Sequence, residues 1–245
     1  MRNVVVTGGS RGIGLGIVRC LAQAGHNVMA IARKESDELR QLIDQSADRE
    51  TGRIKFAACD LSDTETMSEF IKQLRKELGP IYALVNNAGL SVEGTLALTS
   101  PAQIEQIMRL NVTSPILLSK YVLRTMMADS VAGRIVNLAS VIAFTGYSGL
   151  SVYAATKASM IGFTHSLARE VGPLGITVNA VAPGFVDTEM TKGLTEKHRE
   201  QIARRSALKR LVDVEDVAAT VAYLLSDGAR NVTGTVITVD AGNTA

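Results

Sequence analysis

A glycine-rich turn between an apolar run and a helical pattern is the feature of this sequence that most restricts its fold. Residues 4–6 are all valine, a β-branched run typical of a buried strand. Gly8, Gly12 and Gly14 follow, and glycine permits positive φ and lets the backbone approach a ligand closely. Apolar residues then recur at helical spacing. A strand, a glycine turn and a helix in this order direct free N–H groups towards an anion.

The spacing of these glycines, G-x-x-x-G-x-G, is a variant of the dinucleotide-binding fingerprint G-x-G-x-x-G. A glycine-rich turn between a strand and a helix also occurs without any ligand. The glycines alone therefore leave both interpretations open.

Apolar strand patterns alternate with helical patterns along the rest of the chain. Further strands are predicted at residues 27–32, 53–59, 82–85, 133–138, 177–182 and 235–239. Helices are predicted at residues 38–45, from Asp63 as cap to 78, from 101, and at 111–127, 152–171 and 214–226. Nearly continuous apolar strands between helices indicate a parallel sheet covered on both faces. We predict an α/β fold, a single Rossmann-type doubly wound domain over residues 1–245 with a seven-stranded parallel sheet.

The composition restricts the partners and the compartment. The formal net charge is only +2 and no long Lys/Arg run occurs, so neither nucleic acid nor a membrane is expected as a partner. Cys20 and Cys59 have no metal-ligand or redox spacing, so we expect no metal site and a reducing compartment. No apolar run reaches transmembrane length, and the first strand starts within a few residues of Met1. We expect a cytoplasmic protein, or one in an organelle matrix if a presequence was removed.

Tyr153 and Lys157 lie four residues apart on a predicted helix and therefore share one face. A lysine ammonium beside a phenol would lower the tyrosine pKa from about 10 and favour proton exchange with a substrate oxygen. Ser140, at the end of a predicted strand, could hydrogen-bond the same oxygen, and Asn111 could hold a water molecule next to Lys157. The competing interpretations are a surface Tyr/Lys pair, a serine that satisfies local backbone, and a solvated or capping asparagine.

Over its whole length the sequence resembles the short-chain dehydrogenase/reductase family. The resemblance rests on Thr7-Gly8-x-x-x-Gly12-Ile13-Gly14, Asp60, Asn86-Asn87-Ala88-Gly89, Asn111, Ser140, Tyr153-x-x-x-Lys157 and Pro183-Gly184, in the family's order. It implies an enzyme that passes a hydride from a nicotinamide cofactor to a carbonyl carbon. A dinucleotide-sensing or scaffold protein is the non-enzymatic alternative, but it would be expected to lack part of the Ser/Tyr/Lys set, which is whole here.

The resemblance also implies a role for each matching residue. Tyr153 would give its proton to the carbonyl oxygen, Ser140 would fix that oxygen, Lys157 would bind the ribose hydroxyls, and Asn111 would complete a proton relay. The implied cofactor site has Gly8, Gly12, Ile13 and Gly14 at the diphosphate, Asp60 and Leu61 at the adenine, Asn87 and Lys157 at the nicotinamide ribose, and Val186 and Thr188 at the carboxamide. It also includes Ser10, Gly89, Tyr153, Pro183 and Gly184.

Cationic residues suggest which dinucleotide is used. Arg33 and Lys34 stand at the end of the second predicted strand, where an NAD-preferring site usually has an acidic residue, and Arg11 lies within the glycine turn. Guanidinium groups suit a 2′-phosphate, so we expect NADPH/NADP+ with Arg33 and Arg11 as the main contacts. Solvated surface cations are the alternative.

Within the family, residues 182–191 and 232–242 are most similar to the 3-oxoacyl-(acyl-carrier-protein) reductases. This likeness implies reduction of a 3-oxoacyl thioester in fatty acid biosynthesis; another small ketone or alcohol is the alternative substrate. Bacterial members typically carry a basic residue just before each of strands five and six, whereas residues 126–133 and 171–176 contain no Lys or Arg. Acyl carrier protein therefore remains only one of the possible partners, beside CoA thioesters and free ketones.

Residues 183–211 are long for a connection and are expected to form a substrate lid, or else a solvated helical pair. The channel under this lid would be lined by Phe185, Met190, Leu194 and Ile202.

The helices predicted at 111–127 and 152–171 have more apolar residues than one face requires, which suggests an interface or wider burial within one subunit. The family resemblance implies a homotetramer.

Overall fold

The computed structural model describes residues 2–48, 50, 52–186 and 195–245, and seven parallel strands form its sheet. The strands are β1 Asn3–Thr7, β2 Asn27–Ala32, β3 Ile54–Ala58, β4 Ile81–Asn86, β5 Arg134–Leu138, β6 Thr177–Pro183 and β7 Val236–Val239. Their order across the sheet is β3-β2-β1-β4-β5-β6-β7. The order in which successive strands are added therefore reverses between β1 and β4, which is the switch point where such sheets bind their ligands.

Eight α-helices connect these strands in the described part of the chain. They are α1 Gly12–Gln23, α2 Asp37–Ser46, α3 Met67–Leu78, α4 Pro101–Met108, α5 Ser114–Ala128, α6 Ser151–Val171, α7 Glu196–Arg205 and α8 Val214–Leu225. None of the described helices is long and apolar enough to cross a membrane.

Alternation along the strands divides the core into two layers. Val4 and Val6 of β1 pack with α1 and α8 on one face of the sheet, whereas Val5 packs with α3, α5 and α6 on the other. Successive strand side chains point to opposite faces, so a strand covered on both sides must be apolar throughout. The predicted doubly wound α/β fold is confirmed, and β2 has the predicted bounds.

The predicted start of the third helix is wrong. That helix begins at Met67 with Thr66 as its N-cap, not at Asp63. The Asp63 carboxylate instead accepts the Glu65 N–H at 3.2 Å, and the Asp63 N–H binds the Asp60 carbonyl at 3.1 Å. These local turn bonds compete with helix formation.

Part of the apolar surplus on the two long helices is buried within the subunit. The buried members are Leu118, Val122, Met160 and Leu167. Ile116 and Met127 of α5 remain exposed, at 37% and 57% of their full surface. Wider burial thus accounts for much of the surplus, while α5 still presents large apolar side chains on its outer surface.

Candidate active site

The turn between β1 and α1 presents helix amides at the carboxyl edge of the sheet. Gly8 and Gly12 have φ values of 65° and 53°, in the left-handed region that favours glycine. The Leu15 N–H binds the Arg11 carbonyl at 3.2 Å, so the amides of residues 12–14, including Ile13, precede the helical ladder. Among the described residues, no side chain caps α1, and none of its first turn is acidic. This helix end suits an anion such as a diphosphate.

Close packing explains why glycine is needed at two positions of the turn. A Cβ atom at Gly14 would overlap the Gly8 carbonyl oxygen and lie 2.5 Å from the Asn87 Nδ2 atom. A Cβ atom at Gly8 would lie 2.8 Å from the same nitrogen. The turn, α1 and the residues after β4 therefore meet without room for a single methyl group.

Thr7 and Asn87 hold the ends of β1 and β4 together. The Asn87 side-chain amide donates to the Thr7 carbonyl at 2.8 Å and to the Gly8 carbonyl at 3.3 Å. The Thr7 hydroxyl accepts the N–H groups of Asn87 and Ala88 at 3.0 and 2.9 Å. The amide of Asn87, which we expected at the cofactor ribose, thus supports the glycine turn. The sequence analysis missed the supporting role of Thr7, although Thr7 belongs to the motif.

Residues after β2 and β3 lie beside this turn. The Asp60 carboxylate accepts the Ser62 hydroxyl at 2.7 Å and the Ser62 N–H at 2.9 Å, and these bonds lower the pKa of Asp60. The charge of Arg33, an exposed residue after β2, lowers that pKa further. Leu61 is buried, and its carbonyl accepts the Ser114 hydroxyl.

Ser36 was not predicted and links the second loop to the first. Its hydroxyl donates to the Ser10 carbonyl in the glycine turn and accepts the Leu39 N–H at 3.1 Å, capping α2. A serine followed by acidic residues at a helix start is a recognisable cap signal. The cap therefore fixes the loop that carries Arg33 relative to the amino end of α1.

Ser140 and Tyr153 lie close to each other beyond the end of β5. Burial raises the pKa of Tyr153, and a hydrogen bond with the Ser140 side chain partly offsets that rise. Ser140 is buried, and its oxygen also accepts the Ile142 N–H at 3.3 Å. We expected Lys157 to lower the pKa of Tyr153, and the direction found is the opposite, because loss of hydration dominates.

Lys157 is buried behind Tyr153. Its Nζ atom donates to the Leu138 carbonyl at 2.8 Å and lies 5.7 Å from the centre of the Tyr153 ring. Burial lowers the pKa of Lys157 to about 8. The amine can therefore change its protonation state within the range in which many enzymes operate.

Asn111 occupies a π-helical turn, Arg109–Thr113, that joins α4 to α5. Its side chain donates to the Leu90 carbonyl at 2.8 Å and to the Thr156 hydroxyl at 3.1 Å, and it accepts the Leu90 N–H at 2.9 Å. Asn111 thus lies in the one-residue widening of a helix that often marks a functional site. Thr156 was missed as a site residue, although it lies inside the Tyr/Lys motif.

Gly89 brings the two sides of the site together. A Cβ atom there would lie 3.2 Å from the Asn111 Oδ1 atom and 3.7 Å from the Lys157 Nζ atom. A side chain at this position would therefore crowd the side chains of Asn111 and Lys157.

The residues after β6 complete the edge of the sheet. Pro183 is the last residue of β6, and the Gly184 N–H binds the Val239 carbonyl at 2.8 Å. Val186 is buried and forms a parallel bridge with Val212. Thr188, Met190 and Leu194, predicted at the carboxamide and in the channel, lie outside the described residues.

A buried polar ladder below the site was also missed. The Asn86 amide donates to Ser119 Oγ at 3.0 Å and to Asn137 Oδ1 at 2.8 Å, and the Asn137 amide donates to Thr164 Oγ1 at 2.9 Å. Asn137 interrupts an apolar strand, which is the available sequence signal. The ladder connects β4, α5, β5 and α6. Ser140 follows β5, and Tyr153 lies on α6.

A doubly wound sheet with Ser140, Tyr153, Lys157 and Asn111 gathered at its carboxyl edge defines a nucleotide-dependent oxidoreductase of the Rossmann class. A family model described as enoyl-(acyl carrier protein) reductase matches residues 8–244. The 3-oxoacyl-(acyl-carrier-protein) reductase FabG of Vibrio cholerae is 40% identical over 97% of this chain and 95% of its own length. The Escherichia coli K12 protein of that name is 38% identical with the same coverage.

Solved structures agree with this relationship. A putative NAD(P)-dependent gluconate 5-dehydrogenase from Beutenbergia cavernae, with bound NADP, has a TM-score of 0.92 and 32% identity, covering 99% of this chain and 96% of its own. A blue fluorescent protein from a metagenomic library, in complex with NADPH, has a TM-score of 0.90 and 33% identity, with 100% and 98% coverage. The chain belongs to the short-chain dehydrogenase/reductase family.

Gly14→Ala tests the packing at the amino end of α1. The added methyl overlaps the Gly8 carbonyl, so we expect the melting temperature to fall by several degrees and dinucleotide affinity to drop at least about tenfold. Gly172→Ala is the matched control, because a Cβ atom at Gly172 meets nothing within 4 Å and its φ is −53°. Calorimetry and fluorescence titration measure both effects; equal behaviour of the two variants would contradict the packing argument.

Proposed function

We propose that this enzyme reduces a 3-oxoacyl thioester to the 3-hydroxyacyl thioester with NADPH. The observation that carries the proposal is that Ser140, after β5, and Tyr153, on α6, interact through their side chains, with the buried Lys157 behind Tyr153. Two neighbouring hydroxyl groups can both donate hydrogen bonds to a carbonyl oxygen. The names of the FabG relatives support the substrate class, and neighbours solved with NADP or NADPH support the cofactor.

The residues at the edge of the sheet fit the dinucleotide. The Gly8 and Gly14 positions leave no space for a Cβ atom, and the amides of residues 12–14 would receive the diphosphate. Arg33, beside Asp60, would meet the 2′-phosphate, and Asp60 would receive the adenine amino group. Arg11, Asn87, Gly89 and the residues from Pro183 to Val186 complete the site that we propose. When bound, NADPH supplies the hydride for the carbonyl carbon.

The side chains manage the proton. Tyr153 is protonated at neutral pH, since burial raises a pKa that is already far above neutrality, and its hydroxyl can give a proton to the substrate oxygen. Ser140 hydrogen-bonds the same oxygen and holds it in place. Protonated Lys157 lies next to the Tyr153 ring, and its charge stabilises the phenolate that forms when the proton leaves. Asn111 is held by the Leu90 carbonyl near Lys157. There it would take part in the relay that returns a proton to Tyr153.

The substrate side has an aromatic wall. The rings of Tyr147 and Phe185 lie 5.9 Å apart at 54°, joining the Ser140–Tyr153 loop to the segment after β6. Phe144 of the same loop is 51% exposed and Tyr147 is 48% exposed. An acyl chain next to the keto group would cover this apolar surface. A polar sugar substrate would leave it exposed, so the wall favours the thioester over a sugar alcohol.

Tyr153→Phe tests the proton donor. The change removes one oxygen and little volume, so we expect NADPH to bind normally while kcat falls about 100-fold or more, as is typical for a lost general acid. Stopped-flow kinetics with fluorescence titration separate the two quantities. A variant that kept a tenth of the turnover would assign the proton to another group.

The pH dependence tests Lys157 separately. Because burial lowers its pKa to about 8, Lys157 is charged below that pH and loses its charge above it. We expect kcat/KM for reduction to be highest below about pH 8 and to decline as pH rises through that value, since kcat/KM reports free-enzyme groups. Tyr153 titrates higher, so it does not cause this decline. A flat profile from pH 7 to 9.5 would contradict this role.

Cofactor choice tests Arg33. Arg33→Ala should lower kcat/KM for NADPH by roughly 10- to 100-fold, the value of one charge-assisted hydrogen bond, and leave NADH nearly unchanged. Lys34→Ala, an exposed neighbour, is the control and should have a smaller effect. Equal kcat/KM of the unmodified enzyme for NADH and NADPH would rule out the preference.

The carrier of the substrate is tested by comparing acetoacetyl-CoA with an oxoacyl carrier-protein substrate at two salt concentrations. Residues 126–133 and 171–176 lack cations, so we expect CoA thioesters to compete well and carrier-protein kinetics to depend little on salt. A steep salt dependence confined to the carrier protein would show electrostatic docking elsewhere. Good activity on simple ketones alone would favour a general carbonyl reductase.

We infer a homotetramer, which is a common closed arrangement for oligomers. Exposed Ile116 and Met127 on α5 support an interface there. Light scattering at micromolar concentration should give four times the subunit mass of 26.1 kDa. Ile116→Glu combined with Met127→Glu should lower that mass, whereas Leu174→Glu, at an exposed leucine outside α5, should not. A monomeric unmodified protein would contradict the inference.

A further inference from the structure

The residues after β7 form a compact turn around one buried carboxylate. The Asp240 Oδ1 atom accepts the Gly242 N–H at 2.9 Å, and Oδ2 accepts the Thr244 N–H and hydroxyl at 2.8 and 2.7 Å. These bonds lower the pKa of Asp240 although burial opposes them. We call residues 240–244 the Asp240 turn.

The backbone of this turn adopts a conformation that needs support. Ala241 has a φ of 56° and Gly242 a φ of 76°. A non-glycine residue in the left-handed region is strained unless its surroundings fix it. The bonds from Gly242 and Thr244 back to the Asp240 carboxylate span Ala241 and provide that fixation.

The strained conformation aims two carbonyl groups at the end of α7. The Leu208 N–H binds the Ala241 carbonyl at 3.0 Å, and the Ala207 N–H binds the Gly242 carbonyl at 3.3 Å. The Asn243 amide donates to the Ile202 carbonyl within α7 at 3.4 Å. The Asp240 turn therefore holds the carboxyl end of α7 through three hydrogen bonds.

The same turn also holds the other end of the segment that follows β6. A Cβ atom at Gly184 would lie 2.8 Å from the Asp240 Cβ atom, so the two backbones are in close contact. The next residue, Phe185, packs its ring on Tyr147 of the loop between Ser140 and Tyr153. A continuous set of contacts thus connects the Asp240 carboxylate with the substrate side of the site.

We propose that Asp240 is a positioning residue for substrate binding: its carboxylate orders the Asp240 turn, which fixes α7 and Phe185 relative to Ser140 and Tyr153. The part of this proposal that concerns the acyl substrate rests on the proposed function. The amino end of α1 makes none of these contacts in the described residues.

Asp240→Asn tests the proposal, with Asp129→Asn as the matched control. Asparagine keeps the volume but loses the charge and one acceptor. The Asp129 carboxylate also accepts a hydrogen bond from a charged group, Arg75. It lies before the amino end of β5, whereas Asp240 follows the carboxyl end of β7. We expect Asp240→Asn to raise KM for the carbonyl substrate about tenfold, the effect of losing a charge-assisted bond, with NADPH affinity unchanged. Asp129→Asn should change only the melting temperature.

Hydrogen exchange supplies a readout that does not depend on the substrate. In Asp240→Asn the amides of residues 202–212 should exchange at least about tenfold faster, while those of β1 and α1 keep their rates. Unchanged exchange would overturn the proposed ordering, and faster exchange without a change in KM would overturn the positioning role. If the unmodified enzyme turns over ketones but not thioesters, the proposed function fails, and KM for the accepted ketone then decides the role of Asp240.

Discussion

The contact between the glycine turn and the end of β4 is the constraint on which the site depends. Asn87 binds two carbonyls of the turn, and Thr7 binds the backbone after β4, at the point where the sheet reverses its order. Gly14 must lack a side chain for the helix to approach this closely. The amino end of α1 is thereby fixed against Asn87, and two residues further on Gly89 leaves little space between the backbone and the side chains of Asn111 and Lys157. One packing arrangement thus positions the amino end of α1 relative to Asn111 and Lys157.

Burial governs the chemistry of the catalytic pair more than the attraction between its members does. The Lys157 Nζ atom is 5.7 Å from the Tyr153 ring centre and is bonded to a backbone carbonyl instead. Loss of hydration therefore raises the pKa of Tyr153 and lowers that of Lys157 to about 8. The pKa of Tyr153 therefore moves further from neutrality, whereas the pKa of Lys157 moves towards it. A tyrosine that remains protonated is the form that a carbonyl reduction requires.

The sequence was sufficient for the fold and for the positions of the motif residues, because apolar periodicity fixes strands and a parallel sheet gathers their carboxyl ends. It was not sufficient where local bonds decide the outcome. The turn bonds of Asp63 displaced a helix start, and the π-helical turn around Asn111 has no periodic signal. The Tyr147–Phe185 contact and the Asp240 turn join residues that are distant in sequence, so only the structure reveals them.

The proposed reaction delivers hydride to a carbonyl carbon, whereas the matching family model is described as an enoyl reductase. The most direct measurement uses NADPH carrying deuterium at the transferable position, with acetoacetyl-CoA as substrate and mass spectrometry of the product. We predict one deuterium on carbon 3 of a 3-hydroxybutyryl product. Deuterium incorporation only when a 2-enoyl thioester is supplied, with no turnover of the 3-oxo compound, would contradict the claim.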